Sequence, residues 1–196
     1  IQAIGYDMDY TLVHYNVVEW EGTAYEFIKE RLSTFGFPVE DLEFQPELIN
    51  RGLVIDRELG NIVECNRFGY VKAAMHGTEM MNFRAMRRAY ARTLVDLNDP
   101  RFVILNTLFS ISEACMYAQL VQLSKTDKLD RYYHFSELYE RVRDALDAAH
   151  VVVEMKQKIM ASPEQYVETD PDTAIALLDQ KHAGKKLLLI TNSEWG

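Results

Sequence analysis

The first twelve residues constrain the fold of this chain more than any other stretch. An apolar run, Ile1–Tyr6, ends in two acids, Asp7 and Asp9, which a single residue separates. A short run of this kind, bounded by polar residues, is typical of a buried strand in a parallel sheet. Side chains alternate along a strand, so both carboxylates are predicted on one face, with Met8 on the other. Two carboxylates in one small space call for a bound cation or a shared proton, and both suit chemistry on phosphate.

The paired acids have two other possible interpretations. A bare Asp-x-Asp is more often an ordinary acidic turn after a strand, and the motif alone leaves that alternative open. An EF-hand calcium loop also begins Asp-x-Asp, but it requires Gly at its sixth position and Glu at its twelfth. Leu12 and Val18 stand at those positions, so calcium binding of that type is not expected.

A second apolar run ends in small polar residues far along the chain. Lys186–Ile190 is strand-like, and Thr191, Asn192 and Ser193 follow it. Functional groups at the tips of parallel strands meet at the carboxyl edge of a sheet, so the two hydroxyls are expected near the paired acids. Hydroxyl and main-chain N–H groups are suited to holding phosphate oxygens. By itself, the tripeptide is more often a polar loop after a strand.

Together the two motifs resemble a known family. Tyr6–Leu12 (Tyr-Asp-Met-Asp-Tyr-Thr-Leu) is similar to the first motif of the haloacid dehalogenase superfamily, in the form found in cytosolic purine 5′-nucleotidases. Thr191-Asn192-Ser193 resembles the second motif of the same enzymes. The resemblance implies an α/β fold with a Rossmann-type parallel sheet, incomplete in this chain, and a large, mainly helical cap inserted between the two motifs. The second acid, Asp9, implies a phosphatase that hydrolyses its own phospho-enzyme.

Three segments are predicted on this basis. Residues 1–80 would form the core around the first motif, residues 81–157 the helical cap, and residues 158–196 the return to the core. Within the first segment, Leu12–Trp20 is expected to fold back over the acids as a flap, and a helix with Tyr25, Phe27, Ile28 and Leu32 is expected to end at Gly36.

Further elements follow from local patterns. Leu53–Met75 contains three short strand-like runs separated by Gly60 and Gly69, which predicts a small antiparallel meander. Pro171–His182 is predicted to be a helix ended by Gly184. Two apolar stripes at helical spacing are expected to face the core. They are Met80, Phe83, Met86 and Tyr90, and the segment Glu113–Leu123.

The predicted cap contains residues suited to recognising a purine base. Arg143, Asp147 and His150 are spaced i, i+4 and i+7, so they project from one helical face. A guanidinium can donate to O6 or N7, a carboxylate can accept from ring N–H or amino groups, and an aromatic such as Phe109 can stack on the base. The resemblance implies this role for all four and for Lys156. The alternative is an exposed Arg–Asp pair with little effect on stability.

The resemblance also implies a mechanism. Asp7 would be the nucleophile and Asp9 the general acid and base, while Mg²⁺ would bind the Asp7 carboxylate and the Asp9 main-chain carbonyl. Thr191, Asn192 and Ser193 would hold the phosphoryl oxygens. The implied substrates are purine nucleoside monophosphates, IMP and GMP, and transfer of phosphate to a nucleoside is a further implied activity. Two alternatives remain, a phosphatase for another small phosphate ester and a non-catalytic nucleotide-binding module.

The family's third and fourth motifs, a Lys and a pair of acids, should follow the second motif, and they would lie beyond Gly196. These 196 residues alone are therefore expected to be inactive. Nucleic-acid and membrane partners are not expected, because the net charge is −9 and no apolar run approaches the length of a membrane span. Cys65 and Cys115 have no metal-binding spacing, and free thiols are expected in a cytoplasmic protein. The resemblance implies a homo-oligomer.

Overall fold

A computed structural model describes residues 1–151 and 153–191, with the side chains of 148–151 and 153–155 left out. The fold is mixed α/β, with parallel and antiparallel sheets, as predicted. The chain divides into two compact units. The first comprises residues 1–20 and the chain from residue 156 onward, and the second comprises residues 21–155. None of the helices in the described ranges has the length and apolarity needed to cross a bilayer.

The first unit contains a parallel pair of strands that lie far apart in the sequence. Strand β1 (Ala3–Tyr6) pairs with β9 (Lys186–Leu189), with Ala3 opposite Lys186 and Tyr6 opposite Leu189. Their pairing is continued by the N–H of Ile190, which donates to the carbonyl oxygen of Tyr6 over 2.7 Å. The predicted parallel arrangement of these two runs is therefore confirmed.

The prediction that β1 is buried is wrong for the part of the chain described. Its residues alternate between exposed and half-buried, and the exposed apolar residues at the partner strand are Leu188 and Leu189 of β9 and Ile190 just after it. The two strands form a two-stranded sheet among the described residues, so their outer edges and much of both faces meet solvent.

Short elements complete the first unit. Strand β2 (His14–Tyr15) pairs antiparallel with β8 (Val167–Glu168). Helix α5 (Val153–Ala161) belongs to this unit from Lys156 onward, and α6 (Pro163–Tyr166) and α7 (Pro171–His182) follow it along the chain. The prediction for α7 is confirmed, because the Asp170 carboxylate accepts from the N–H groups of Asp172 and Thr173 at its start, and Gly184 adopts φ +77° just after its end.

Helix α1 (Val17–Thr34) begins earlier than predicted. The side-chain oxygen of Asn16 accepts from the N–H of Glu19. The main-chain carbonyl oxygen of Asn16 accepts from the N–H of Trp20 over 2.9 Å. Asn is among the favoured residues at this capping position, so the chain enters the helix at Val17. The predicted flap over residues 12–20 is therefore wrong for its last four residues, which are helical.

The second unit is built on a five-stranded antiparallel sheet. Its strands are β3 (Val54–Asp56), β4 (Asn61–Cys65), β5 (Val71–His76), β6 (Glu79–Met80) and β7 (Phe102–Ile104), in the order β6-β5-β4-β3-β7. The predicted meander is confirmed in β3, β4 and β5. At the turn between the first two, Gly60 has φ +69° and packs under the Phe135 ring, where a Cβ would lie 2.6 Å from ring atoms.

Three further helices pack in this unit: α2 (Phe83–Tyr90), α3 (Ile111–Lys125) and α4 (Phe135–Val151). Helix α3 is buried along almost its whole length, which confirms the predicted core segment Glu113–Leu123. The other predicted stripe is half wrong. Met86 and Tyr90 are in the core, but Met80 is 68% and Phe83 69% exposed. Met80 belongs to β6, and Phe83 occupies the first turn of a helix that only begins there.

Candidate functional site

The paired acids lie in a tight turn directly after β1. The Met8 carbonyl oxygen accepts from the N–H groups of Leu12 and Val13, both over 3.0 Å. Tyr10 adopts φ +54°, and its N–H donates to the Val13 carbonyl oxygen over 2.8 Å. A left-handed conformation is unfavourable for a tyrosine, so these hydrogen bonds and the packing around the ring must hold it. The turn gives Asp7 and Asp9 a defined main-chain geometry.

Tyr15 orients the carboxylate of Asp9. Its hydroxyl donates to Oδ1 of Asp9 over 2.6 Å. Burial, the hydrogen bond to Asp9, and the negative charges of Asp9 and Asp7 all raise the pKa of Tyr15. The charge of Asp7 makes the smallest of these contributions, and the hydrogen bond joins the hydroxyl to Asp9. Asp7 is exposed, whereas Asp9 is half-buried and oriented by the tyrosine.

The position of Tyr15 depends on a row of aromatic rings in the first unit. Its ring makes edge contacts with Tyr10 and Trp20, with centroids 5.3 and 5.0 Å apart, and Trp20 contacts Tyr166 at 6.4 Å. Such contacts favour a fixed ring orientation. Sequence reasoning missed Tyr15, and its place in an apolar alternation after the acids contained no signal for a hydrogen bond to Asp9.

The second predicted strand tip lies at the same sheet edge as the first. Because β1 and β9 are parallel and in register, their carboxyl ends coincide, and Thr191 follows Ile190 immediately after the last bond between them. Thr191 is exposed. Asn192 and Ser193 lie outside the described residues. The phosphate-binding role of all three stays a prediction.

The oxygen donors at this edge suit a hard cation chemically. An exposed carboxylate on Asp7 and the main-chain carbonyl of Asp9 are the kind of ligand that Mg²⁺ prefers. Within residues 1–151 and 153–191, no group of three or more His, Cys, Asp or Glu side chains is arranged as a metal site. Two donors from this turn would therefore need further oxygen ligands to hold such a cation.

The predicted base-recognition residues of the second unit centre on Arg143. One terminal nitrogen of its guanidinium lies 3.0 Å from Oδ1 of Asp147, so the predicted i, i+4 pair on α4 is present. The other lies 3.1 Å from Oε2 of Glu113, a buried residue of α3. Arg143 is therefore more than an exposed partner of Asp147, because a buried carboxylate also holds it in place.

The other predicted members are placed as follows. Phe109 belongs to a short 3₁₀ turn, Leu108–Ser110, directly before α3, and is half-buried. His150 lies on α4, but its side chain is outside the described part. Lys156 is exposed on α5 and belongs to the first unit. Whether these side chains bind a base stays a prediction.

Arg143 lines a cavity of about 480 Å³ in the second unit. Sequence reasoning missed most of its polar lining. Tyr139 donates from its hydroxyl to Oε1 of Glu113 over 2.5 Å, and burial together with the charge of Glu113 raises the pKa of Tyr139. Glu113 thus joins α3 to two residues of α4. The remaining lining residues are Arg57, Val103, Ile104, Leu105, Ser110 and Glu140.

A second buried carboxylate, Glu21 of α1, contacts the start of α3. Oε2 of Glu21 accepts from both the N–H and the hydroxyl of Ser112, each over 2.7 Å. Burial raises the pKa of Glu21 from its ordinary 4.5 to about 7, against the opposing effect of the bonds from Ser112. The negative charge of Glu113 makes a smaller contribution to the same rise. Glu21 is therefore expected to exchange a proton near neutral pH.

This raised pKa predicts a loss of stability as the pH rises. Between pH 4.5 and 7 the unfolded carboxyl is ionised while the folded one keeps its proton, so the unfolded state binds fewer protons and the free energy of unfolding falls. The expected fall from this group is up to about 3 kcal/mol. Glu21→Gln lacks this titrating group and should not show the fall. Its free energy of unfolding should therefore increase relative to that of the unaltered protein between pH 5 and pH 8.

Urea denaturation across this pH range measures the effect. Glu30→Gln, an exposed acid on the same helix α1, serves as the matched control and should follow the unaltered protein. Parallel pH profiles for Glu21→Gln and the unaltered protein would show that Glu21 does not titrate in this range.

Comparison with known proteins gives one consistent result. The family model described as the 5′ nucleotidase family matches residues 1–196. The human 5′-nucleotidase domain-containing protein 1 is 27% identical over 213 residues, covering 97% of this chain and 46% of that protein. Its Bos taurus counterpart is 26% identical with the same coverage. A 5′-nucleotidase domain-containing protein of Dictyostelium discoideum is 24% identical, covering all of this chain and 34% of its own length. The chain therefore spans about half or less of these relatives.

Proposed function

The chain belongs to the 5′-nucleotidase family, and from that we propose that it supplies the nucleophile and the base-recognition residues of a Mg²⁺-dependent nucleotidase. We assign the enzyme to the haloacid dehalogenase superfamily and to its cytosolic purine branch, with IMP and GMP as substrates. The observation that carries the proposal is the parallel pairing of β1 with β9. It brings the turn containing Asp7 and Asp9 and the strand end before Thr191 to one sheet edge.

The first step is transfer of the phosphoryl group to Asp7. A carboxylate oxygen of Asp7 forms a bond to phosphorus while the bond from phosphorus to the ribose 5′-oxygen breaks. Asp9, protonated at this stage, gives its proton to the departing 5′-oxygen. The exposure of Asp7 leaves its carboxylate accessible to a phosphate, and the Tyr15 hydroxyl orients Asp9 for proton transfer.

The second step returns the enzyme to its starting state. Asp9, now a carboxylate, takes a proton from water as the water oxygen attacks phosphorus and the bond to Asp7 breaks. Inorganic phosphate leaves, Asp7 is again a carboxylate and Asp9 is again protonated. A nucleoside hydroxyl in place of water would give phosphate transfer by the same balance of bonds and protons.

The cation and the polar residues after β9 serve the phosphate in this scheme. Mg²⁺ held by the Asp7 carboxylate and the Asp9 carbonyl would neutralise charge on the phosphoryl oxygens. The hydroxyls of Thr191 and Ser193, the side chain of Asn192 and nearby N–H groups would donate hydrogen bonds to the same oxygens.

Recognition of the purine is assigned mainly to residues of the second unit. Arg143 and Asp147 form one half of a donor and acceptor set, and their geometry is maintained by Glu113. Phe109 would stack on the base, and His150 and Lys156 would add polar contacts to the nucleotide. Recognition of this kind would favour purines over pyrimidines.

A substrate panel on the complete natural protein tests the proposal. With Mg²⁺ present, IMP and GMP are expected to release phosphate with kcat/KM at least about tenfold above pyrimidine nucleotides and sugar phosphates, because only a purine fills the base contacts. Removal of Mg²⁺ with EDTA should abolish turnover, and added Mg²⁺ should restore it. A higher rate on a sugar phosphate would assign the protein to another phosphate ester, and nucleotide binding without any turnover would make it a non-catalytic module.

A further inference from the structure

Arg57 lines the same cavity as Arg143 but has far weaker partners. It follows β3 in a turn, where its N–H donates to the Arg101 carbonyl oxygen over 3.0 Å. Its guanidinium reaches Glu140 at 3.4 Å, a long contact to a side chain that is 63% exposed. Its Nε atom is buried, and it has no hydrogen-bond partner among the residues described. A buried N–H left in this state favours any ligand that supplies an acceptor.

Arg143, by contrast, is already engaged. Glu113 and Asp147 each occupy one of its terminal nitrogens at about 3 Å. One N–H group on each terminal nitrogen of Arg143 is therefore paired, whereas Arg57 makes only the long contact to Glu140 and its Nε has no partner among the residues described. Of the two arginines in the cavity, Arg57 is the better placed to donate to a ligand.

The surroundings of Arg57 suit a flat, uncharged ligand. The guanidinium carbon lies 5.3 Å from the centroid of the Tyr139 ring, whose hydroxyl is fixed by Glu113. Val103, Ile104 and Leu105 add apolar surface, and a cavity of about 480 Å³ is large enough for a purine base.

The charges of the lining favour a base over a phosphate. Arg57 and Arg143 contribute two positive charges, and Glu113 and Glu140 contribute two negative ones, so the lining is formally neutral. A neutral lining gives a phosphate dianion no net attraction to offset the cost of its desolvation, which disfavours its binding. A base with acceptor atoms along one edge meets no such repulsion.

We infer that Arg57 is a specificity-determining residue that donates hydrogen bonds to O6 and N7 of a 6-oxopurine bound in this cavity. The inference rests on the proposed nucleotidase function and extends it to a residue outside the family-like set. Two N–H groups of a guanidinium match the two acceptors of hypoxanthine or guanine. Adenine presents an amino donor at position 6, so one of the two bonds is lost and two donors face each other.

The test compares Arg57→Met with the unaltered complete protein. Methionine keeps part of the apolar stem and removes every donor. We expect kcat/KM to fall at least about tenfold for IMP and GMP, the effect of losing charge-assisted hydrogen bonds. For para-nitrophenyl phosphate, which has no base, it should change by less than about twofold, and for AMP, which keeps only the N7 acceptor, it should fall by less than for GMP. Arg88→Met, on the exposed side of α2, is the matched control and should leave all four rates unchanged.

The outcomes separate this inference from the function on which it rests. Equal losses on all four substrates, or no change in the ratio of GMP to AMP, would overturn the role of Arg57 while leaving the nucleotidase assignment intact. Failure of the unaltered protein to hydrolyse any nucleotide would overturn both. If Arg57→Met does not fold, Arg57→Lys replaces it. Lysine retains the charge but not the planar pair of donors, so the ratio of GMP to AMP should still fall several-fold.

Discussion

Replacing Asp7 with Asn is expected to abolish phosphate release from IMP, with a loss of kcat of about 10⁴-fold or more. An amide nitrogen and oxygen cannot form the acyl phosphate through which the proposed reaction passes. The substitution keeps the size of the side chain, and Asp7 is exposed, so the turn after β1 should be preserved. The measurement is release of inorganic phosphate by the complete natural protein with Mg²⁺ present.

Two further observations make this result specific. The Asp7→Asn protein should still bind IMP, because base recognition is assigned to other residues, and calorimetry can measure that binding. Asp179→Asn, an exposed acid on α7 in the same unit, is the matched control and should retain full activity. Turnover by Asp7→Asn above about 1% of the unaltered rate would refute Asp7 as nucleophile.

Replacing Asp56 with Ala is expected to lower the free energy of unfolding by about 3–5 kcal/mol. Asp56 is fully buried at the end of β3. Its carboxylate accepts from Nε and a terminal nitrogen of Arg101, both over 2.8 Å, and from the Tyr90 hydroxyl over 2.7 Å. The N–H groups of Glu58 and Leu59 also donate to it. Alanine would leave a mostly buried guanidinium and several donors unpaired, which costs far more than the pair itself contributes.

The pKa of Asp56 adds a pH signature to this prediction. Burial alone would raise the pKa, but the bonds from Arg101 and Tyr90 outweigh burial and lower it. Asp56 therefore stabilises the fold at pH values above its pKa in the unfolded chain. This contribution is lost as the pH falls through the lower pKa that Asp56 has in the folded protein. Urea denaturation should show a smaller difference in the free energy of unfolding between Asp56→Ala and the unaltered protein at acid pH than at neutral pH.

The matched control for Asp56 is an exposed ion pair on the same sheet. Glu64 lies 2.6 Å from Lys72, with about half of each side chain exposed to solvent. Glu64→Ala should change stability by no more than about 0.5 kcal/mol. If Asp56→Ala cost as little as this control, the buried network would not be holding the sheet to α2.

Local patterns predicted the elements whose cause is local. Helix α7 was predictable because Pro171 at its first turn and Gly184 after its end act within a few residues. The meander followed from short β runs separated by glycine turns, and Gly60 does adopt a positive φ. The pairing of β1 with β9 was predictable from two apolar runs that both end in polar groups, since such tips share an edge in parallel sheets.

The wrong predictions concern burial and the limits of elements. Met80 and Phe83 fit a helical stripe in the sequence, but spacing alone could not show that α2 begins only at Phe83. The apolar run of β1 predicted a buried strand, yet burial depends on neighbours that the run itself does not specify. Asn16 is a favoured residue for the start of a helix, but the apolar alternation of residues 12–20 did not indicate that α1 begins there.

The sequence by itself determined the chemistry available at each strand end and on each helical face. It identified Asp7 and Asp9 by their spacing and Arg143 with Asp147 by helical periodicity, because these relations span only a few residues. Only the tertiary structure decided which distant groups hold them. Tyr15 turns back onto Asp9, Glu113 of α3 meets Tyr139 and Arg143 of α4, and Arg57 enters their cavity from the end of β3. Such contacts depend on how whole helices and strands pack against one another, and the periodicity within one segment does not predict that packing.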